Sequence, residues 1–306
     1  MKMMRNLYIL IIYRHTINMY ILCFYFPRII MHVHTISLLG PRPKNEDDLF
    51  YNLNLTSSGT NSEKKRNANI IGIFDGHGGS LVSKYLKDNL PKYFYASTES
   101  LLSTKHTEYI KKVYDKMQQK IIKDVPQCKQ MGSTALVLQL EKGKSDQYYV
   151  QVINSGDCRA VLCNEYNIGV SLTKDHKPMQ WEEKIRIEDL GGKITRDIGD
   201  DYRINGLAVS RSFGDLDVLP YVTHVPEIFN YKINVNSKFI ILGCDGVWDV
   251  LSSQDAVDFV IKEMLIAPTH TENYHTHTQK NIAKKLGELA LKKGSGDNIS
   301  IILLFF

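Results

Sequence analysis

The chain has 306 residues, 43% hydrophobic and 23% charged, enough to bury one large core or two small ones. Its net charge of +5 is local: Lys2, Arg5, Arg14, Arg28, Arg42 and Lys44 all precede the first acid, Glu46, which leaves 32 of the 38 Lys and Arg against 33 Asp and Glu. That near-neutral remainder has no basic stripe, which argues against nucleic-acid binding, and five cysteines without a C-x-x-C pair argue against a disulfide framework or a structural zinc.

The N-terminus carries two apolar runs, 7–13 and 19–26, interrupted by Arg14, His15, Thr16 and Asn18. Neither reaches the roughly 18–20 residues that span a bilayer. We read residues 1–35 as a leader without an assigned role. A signal or anchor and an organelle transit segment are the alternatives, and membrane association would run only through this segment. Reduced thiols make the cytoplasm the expected compartment of the remainder, 36–306.

From there short β-rich runs recur at 48–53, 70–74, 134–140, 148–154, 159–163, 238–243 and 298–306, with 133–163 reading as a three-strand meander. Helical spacing of apolar residues predicts helices over 80–90, 106–124, 178–190, 252–265 and 280–291. Pro178 and Gly191-Gly192 bracket the third. Ser252 and Asp255 stand in capping-box spacing at the fourth. The polar stretches 54–69 and 267–279 read as surface loops, and His270, His275 and His277 in the second read as solvated residues, without acids or cysteines to support a metal site.

The informative pattern is acids at the ends of these runs. Glu46 and Asp47 precede the first strand; Asp75 follows 70–74 and leads into Gly76-His77-Gly78-Gly79. Asp157 follows 148–154, Asp245 follows 238–243 with Asp249 four residues on, and Asp297 precedes the last strand. A single such carboxylate is usually a turn residue or a helix cap. Five strand ends of this kind instead suggest converging hard oxygen ligands, the donor set for Mg²⁺ or Mn²⁺. Two such cations about 3.5–4 Å apart can activate a water and clamp a phosphoryl group.

In order along 36–306, the strings GPRPKNED (40–47), FDGHGG (74–79), GSTA (132–135), NSGDCRA (154–160), DHKP (175–178), GGKI (191–194), LAVSRSFGD (207–215), CDGVWDV (244–250) and GDNIS (296–300) resemble the type-2C metal-dependent serine/threonine protein phosphatases. The resemblance implies an α+β sandwich: two packed antiparallel sheets flanked by helices, with the metal site at one end. It implies that Glu46, Asp75 and the Gly76 carbonyl hold one cation, and that Asp75, Asp245 and Asp297 hold the other. Asp47 would orient the shared water, Arg42 would bind the substrate phosphate, and His77 would protonate the leaving alkoxide. Asp157 and Asp249, with Asp245, match a weaker third metal site. Cys158 and Cys244 depart from the small residues frequent in the family, without supplying ligands. Trp248 and Phe213 read as core.

The expected partners are phosphoprotein substrates, met by a monomer. A catalytically silent relative would have lost an acid or the arginine, and none is missing. An enzyme for small phosphate monoesters is the remaining alternative, and no nucleotide-pocket motif supports it.

Overall fold

The computed structural model describes residues 31–53, 69–97, 100–142, 147–196, 201–234, 236–265 and 281–306. Residues 1–30, the loop 54–68 and the segment with His270, His275 and His277 lie outside the described residues.

Two five-stranded antiparallel sheets form the frame. One has the order β1 (His32–Leu38), β15 (Ile299–Phe305), β14 (Phe239–Gly243), β8 (Arg159–Cys163), β9 (Gly169–Ser171). The other has the order β13 (Glu227–Ile233), β7 (Tyr148–Ser155), β6 (Ala135–Lys142), β3 (Asn69–Phe74), β2 (Asp48–Asn52). Their central strands read as unbroken apolar runs because both faces are buried. In β14 and β15, Ile240, Leu242, Ile302 and Leu304 face the space between the sheets, where Ile71, Ile73, Leu136, Leu138, Val150 and Val152 meet them. The alternate residues Ile241, Ile301, Leu303 and Phe305 face the opposite way, as a period of two requires.

Helices cover both outer faces. On the β3 side lie α1 (Leu81–Ala96) and α2 (Thr104–Asp124), whose Val82, Leu86, Leu90, Ile110, Tyr114, Met117 and Ile121 pack on Ile70, Phe74, Val137 and Ile153. On the other side lie α5 (Ser253–Leu265) and α6 (Ile282–Lys292). Trp248 and Phe213 lie in these helix-facing cores, as expected. Among the described residues no helix is long and apolar enough to cross a membrane.

Four expectations need correction. The segment 133–163 is not a meander: β6 pairs with β7, but β8 pairs with β14 in the opposite sheet, because the chain crosses between sheets at 156–158. Helix α1 runs past residue 90 and through Pro91, since Leu90, Pro91 and Phe94 are all buried and packing outweighs the lost hydrogen bond. Helix α3 (Trp181–Asp189) starts after Pro178, and its cap is Gln180, whose side chain accepts from the Glu183 amide at 3.0 Å. The boundary at 36 falls inside β1, where His32 already pairs with Phe305 and Val33 with Leu304. The Ser252–Asp255 box forms as read, with the Asp255 amide donating to Ser252 Oγ at 3.1 Å and the Ser252 amide to the Asp255 carboxylate at 3.3 Å.

Outside the sheets, α3 is tied down by Glu183, which is 1% exposed. Its carboxylate accepts from Arg211 Nε at 3.0 Å and from Arg186 Nη2 at 2.8 Å. Burial alone would raise its pKa, but the two guanidinium groups outweigh it and bring the value down to about 2 from 4.5.

Two outcomes follow from this frame. A chain starting at Met31 keeps β1 and melts cooperatively, whereas one starting at Leu39 loses the strand on which β15 pairs and is recovered unfolded or insoluble; circular dichroism of the two checks this. Glu183→Gln costs about 3 kcal/mol at neutral pH by leaving two partly buried guanidinium groups short of a partner. Because the folded-state pKa is depressed, the contribution is present above pH 4.5 and lost as pH falls towards 2. Denaturant melts should therefore show the gap between wild type and variant closing across that window.

Candidate active site

Antiparallel pairing explains why acids distant in sequence meet. Registers Asp48↔Phe74 and Ala135↔Ser155 put the start of β2 and the ends of β3 and β7 on one edge of one sheet. Registers Leu38↔Ile299, Gly243↔Ile301 and Gly243↔Arg159 put the ends of β1 and β14 and the starts of β15 and β8 on one edge of the other. The acids sit one or two residues beyond these ends. Carboxylate oxygens of Asp75, Asp157 and Asp245 lie within 4.8 Å of one another, and so do ligand atoms of Asp47, Asp75 and Cys244. Asp245 also opens a short helix, α4 (Asp245–Trp248).

The electrostatics are those of uncompensated anions. Asp47 Oδ2 and both Asp157 carboxylate oxygens are buried without a hydrogen-bond partner. Desolvation pushes Asp47 and Asp157 up to about 6. Desolvation, then repulsion from Asp47 and Asp245, holds Asp75 well above the usual carboxylate range; desolvation, then Asp157 and Asp297, does the same for Asp245. Unpaired, closely spaced oxygen donors of this kind fit hard divalent cations. The floor beneath them is Cys158 and Cys244, both fully buried. Burial and then the neighbouring carboxylates push both thiols well up. A protonated thiol is a poor ligand, so the nearness of the Cys244 sulfur does not make it one.

Glu46 and Asp297 stand outside the tight cluster. They are held by Asn298, which the sequence reading did not single out. Its side chain accepts from the Glu46 amide at 2.9 Å and donates to the carbonyls of Leu39 at 2.8 Å and Lys44 at 3.0 Å. Ser83 Oγ donates to the Glu46 carbonyl at 2.6 Å. Gly76 must be glycine, because a Cβ there would lie 2.3 Å from that same carbonyl. Arg42, read as the phosphate ligand, is half exposed and pairs with Asp297 Oδ2 at 2.6 Å and the Gly296 carbonyl at 3.0 Å. Asp249 is exposed. Lys177 lies between it and Asp157, 3.2 Å and 3.8 Å from their oxygens. The Lys177 ammonium thus stands among the three acids read as a third metal site; DHKP contains this lysine, but nothing in the string marks its role.

His77 lies on a separate small sheet of β4 (Gly76–His77), β5 (Gly132–Ser133) and β12 (Phe213–Gly214), in the order β12-β5-β4. Its Nε2 lies 2.7 Å from Asp215 Oδ2. Desolvation lowers the His77 pKa, but the hydrogen bond and charge of Asp215 outweigh it, and the net direction is up. Asp215 ends the LAVSRSFGD string, yet a lone Asp after Gly reads as a turn, and sequence reasoning assigned it no role.

A family model for protein phosphatase 2C matches residues 32–299. The chain is 45% identical over 176 residues to a PP2C-like domain-containing protein of Acanthamoeba polyphaga mimivirus, covering 53% of this chain and 97% of that one. It is 35% identical over 238 residues to a probable protein phosphatase 2C of Oryza sativa subsp. japonica, covering 78% and 76%. Among solved structures, a phosphatase from Toxoplasma gondii superposes with a TM-score of 0.73 at 23% identity, covering 90% of this chain and 92% of that one. Strand-end acids, two stacked antiparallel sheets and these matches agree: the chain belongs to the protein phosphatase 2C family.

Proposed function

We propose that this family member hydrolyses phosphoserine and phosphothreonine in proteins with a pair of Mg²⁺ or Mn²⁺ ions, and the observation that carries the reading is the convergence of carboxylate oxygens of Asp75, Asp157 and Asp245 within 4.8 Å, with both Asp157 oxygens buried and unpartnered. Glu46, Asp75 and the Gly76 carbonyl would hold one ion; Asp75, Asp245 and Asp297 the other. Bound there, the ions supply hydroxide at working pH and offset charge on the phosphoryl oxygens. Asp47, with one oxygen unpartnered, accepts a hydrogen bond from the attacking water and orients it. Arg42 turns from Asp297 to the substrate phosphate, for which a planar guanidinium fork is suited. His77 donates a proton to the departing serine or threonine oxygen. A third cation between Asp157 and Asp249 would have to displace the Lys177 ammonium and would bind weakly for that reason.

Phosphate release from phosphoserine and phosphothreonine peptides should require millimolar-range Mg²⁺ or Mn²⁺, since Mg²⁺ dehydrates reluctantly, and chelation should abolish it reversibly. Nucleotides should be poor substrates. Asp75→Asn and Asp245→Asn should each remove nearly all turnover while leaving the melting profile cooperative. Full turnover after chelation and desalting, or faster release from nucleotides than from peptides, would overturn the reading.

A further inference from the structure

The small sheet carrying His77 is built around a gap. In its register His77 pairs with Gly132, which pairs in turn with Gly214. Gly132 has no positive φ to require glycine. What it lacks room for is a side chain: a Cβ would lie 2.1 Å from Asp215 Oδ2 and 2.5 Å from His77 Nε2. The missing methyl is the space in which the two side chains meet.

The rest of the neighbourhood fixes Asp215. Gln118 on α2 clamps Gly214 from both sides, accepting from its amide at 2.9 Å and donating to its carbonyl at 3.1 Å. Asp215 follows in the left-handed region, φ 52°, where a non-glycine residue is uncommon and is held at some cost by its surroundings. It is 2% exposed. Ser212 Oγ donates to the same Oδ2 that meets His77. A buried carboxylate in a strained backbone, aimed at one imidazole nitrogen across a gap kept by glycine, is more than a turn residue needs.

We infer that Asp215 is the positioning residue for His77: by accepting from Nε2–H it fixes the plane and tautomer of the ring, leaving Nδ1 as the nitrogen that delivers the proton. The inference rests on the reading in which His77 is the proton donor. As the hydroxide oxygen bonds to phosphorus, the P–O electron pair moves to the serine oxygen, which takes the Nδ1 proton. The products are hydrogen phosphate and a serine hydroxyl, and neutral His77 is reprotonated from water. A serine alkoxide needs that proton, whereas a nitrophenolate leaves without it, so correct ring placement matters mainly for the peptide.

The test compares kcat on a phosphoserine peptide and on p-nitrophenyl phosphate at saturating Mn²⁺ for His77→Ala, Asp215→Ala, the two combined, Asp215→Asn and Gly132→Ala. Mn²⁺ affinity is measured by calorimetry for each, and circular dichroism monitors folding. Asp215→Ala should lose about 10²-fold on the peptide, the lower range of general-acid effects, and at least ten times less on the nitrophenyl ester. The double variant should be no worse than His77→Ala. Asp215→Asn tolerates the left-handed backbone and can still accept from Nε2–H, so it should recover part of the loss. Gly132→Ala, whose methyl would part the pair while leaving both residues in the sequence, should show the same substrate bias and stands in if Asp215→Ala does not fold. Losses that multiply in the double variant, or equal losses on both substrates for folded Asp215→Ala or Gly132→Ala, overturn the inference while a biased His77→Ala leaves the donor reading standing. Equal losses for His77→Ala itself overturn the donor reading, and the inference falls with it.

Discussion

Mutual repulsion among half-buried carboxylates is the constraint around which this molecule is arranged. Asp75, Asp157 and Asp245 approach within 4.8 Å, and among the described residues the ammonium near them is that of Lys177. Desolvation and like charge both disfavour their ionised forms. No set of turns or caps requires that. Something positive joining it would offset that repulsion at neutral pH, and oxygen donors without hydrogens to offer suit a hard cation.

The sandwich supplies the rigidity that holds such a cluster together. Asp75, Asp157, Asp245 and Asp297 follow or precede strands whose two faces are buried, so the backbone carrying them has little freedom, whereas Glu46 and Asp47 lead into the half-buried edge strand β2. The crossing at 156–158 sends one strand to each sheet and places Asp157 between them. The inter-sheet core reaches the site as Cys158 and Cys244, whose sulfurs keep water from below. The same edge is finished by Asn298, which ties the 39–46 loop to the start of β15. The helix-side layer adds the His77 sheet, anchored by α2 through Gln118.

Much of this was legible in the sequence because the strands announce themselves. Runs such as 238–243 and 298–306 are apolar throughout, and an acid beside a glycine at such an end stands out. What stayed hidden depends on partners far along the chain. Whether β8 joins β7 or leaves for the other sheet is decided by β14, about eighty residues later, and no local signal carries it. Strand β13 (EIFNYKI) mixes Glu, Asn and Lys with its apolar residues because it is an edge, so it lacked the continuous run that marked its neighbours. Residues 32–35 looked like part of the leader until β15 gave them a partner. Asp215 and Lys177 lie in strings that matched the family, yet their roles come from who faces them: an imidazole across a glycine gap, and two carboxylates. Arg42 shows the converse, a residue whose expected ligand is phosphate and whose partner here is Asp297.

The claim that cations offset the repulsion of these acids has a direct thermodynamic consequence. A carboxylate whose pKa is raised on folding binds protons more tightly in the folded chain, so its contribution to stability is lost as pH rises through the folded value, about 6 for Asp47 and Asp157. Thermal melts at pH 5 and pH 7, with chelator and with saturating Mn²⁺, read this out. The account predicts that the metal-free chain melts lower at pH 7 than at pH 5, and that Mn²⁺ raises the melting temperature more at pH 7, where protons no longer compete for the oxygens. A metal-free chain at least as stable at pH 7, with the same Mn²⁺ increment at both values, would contradict it.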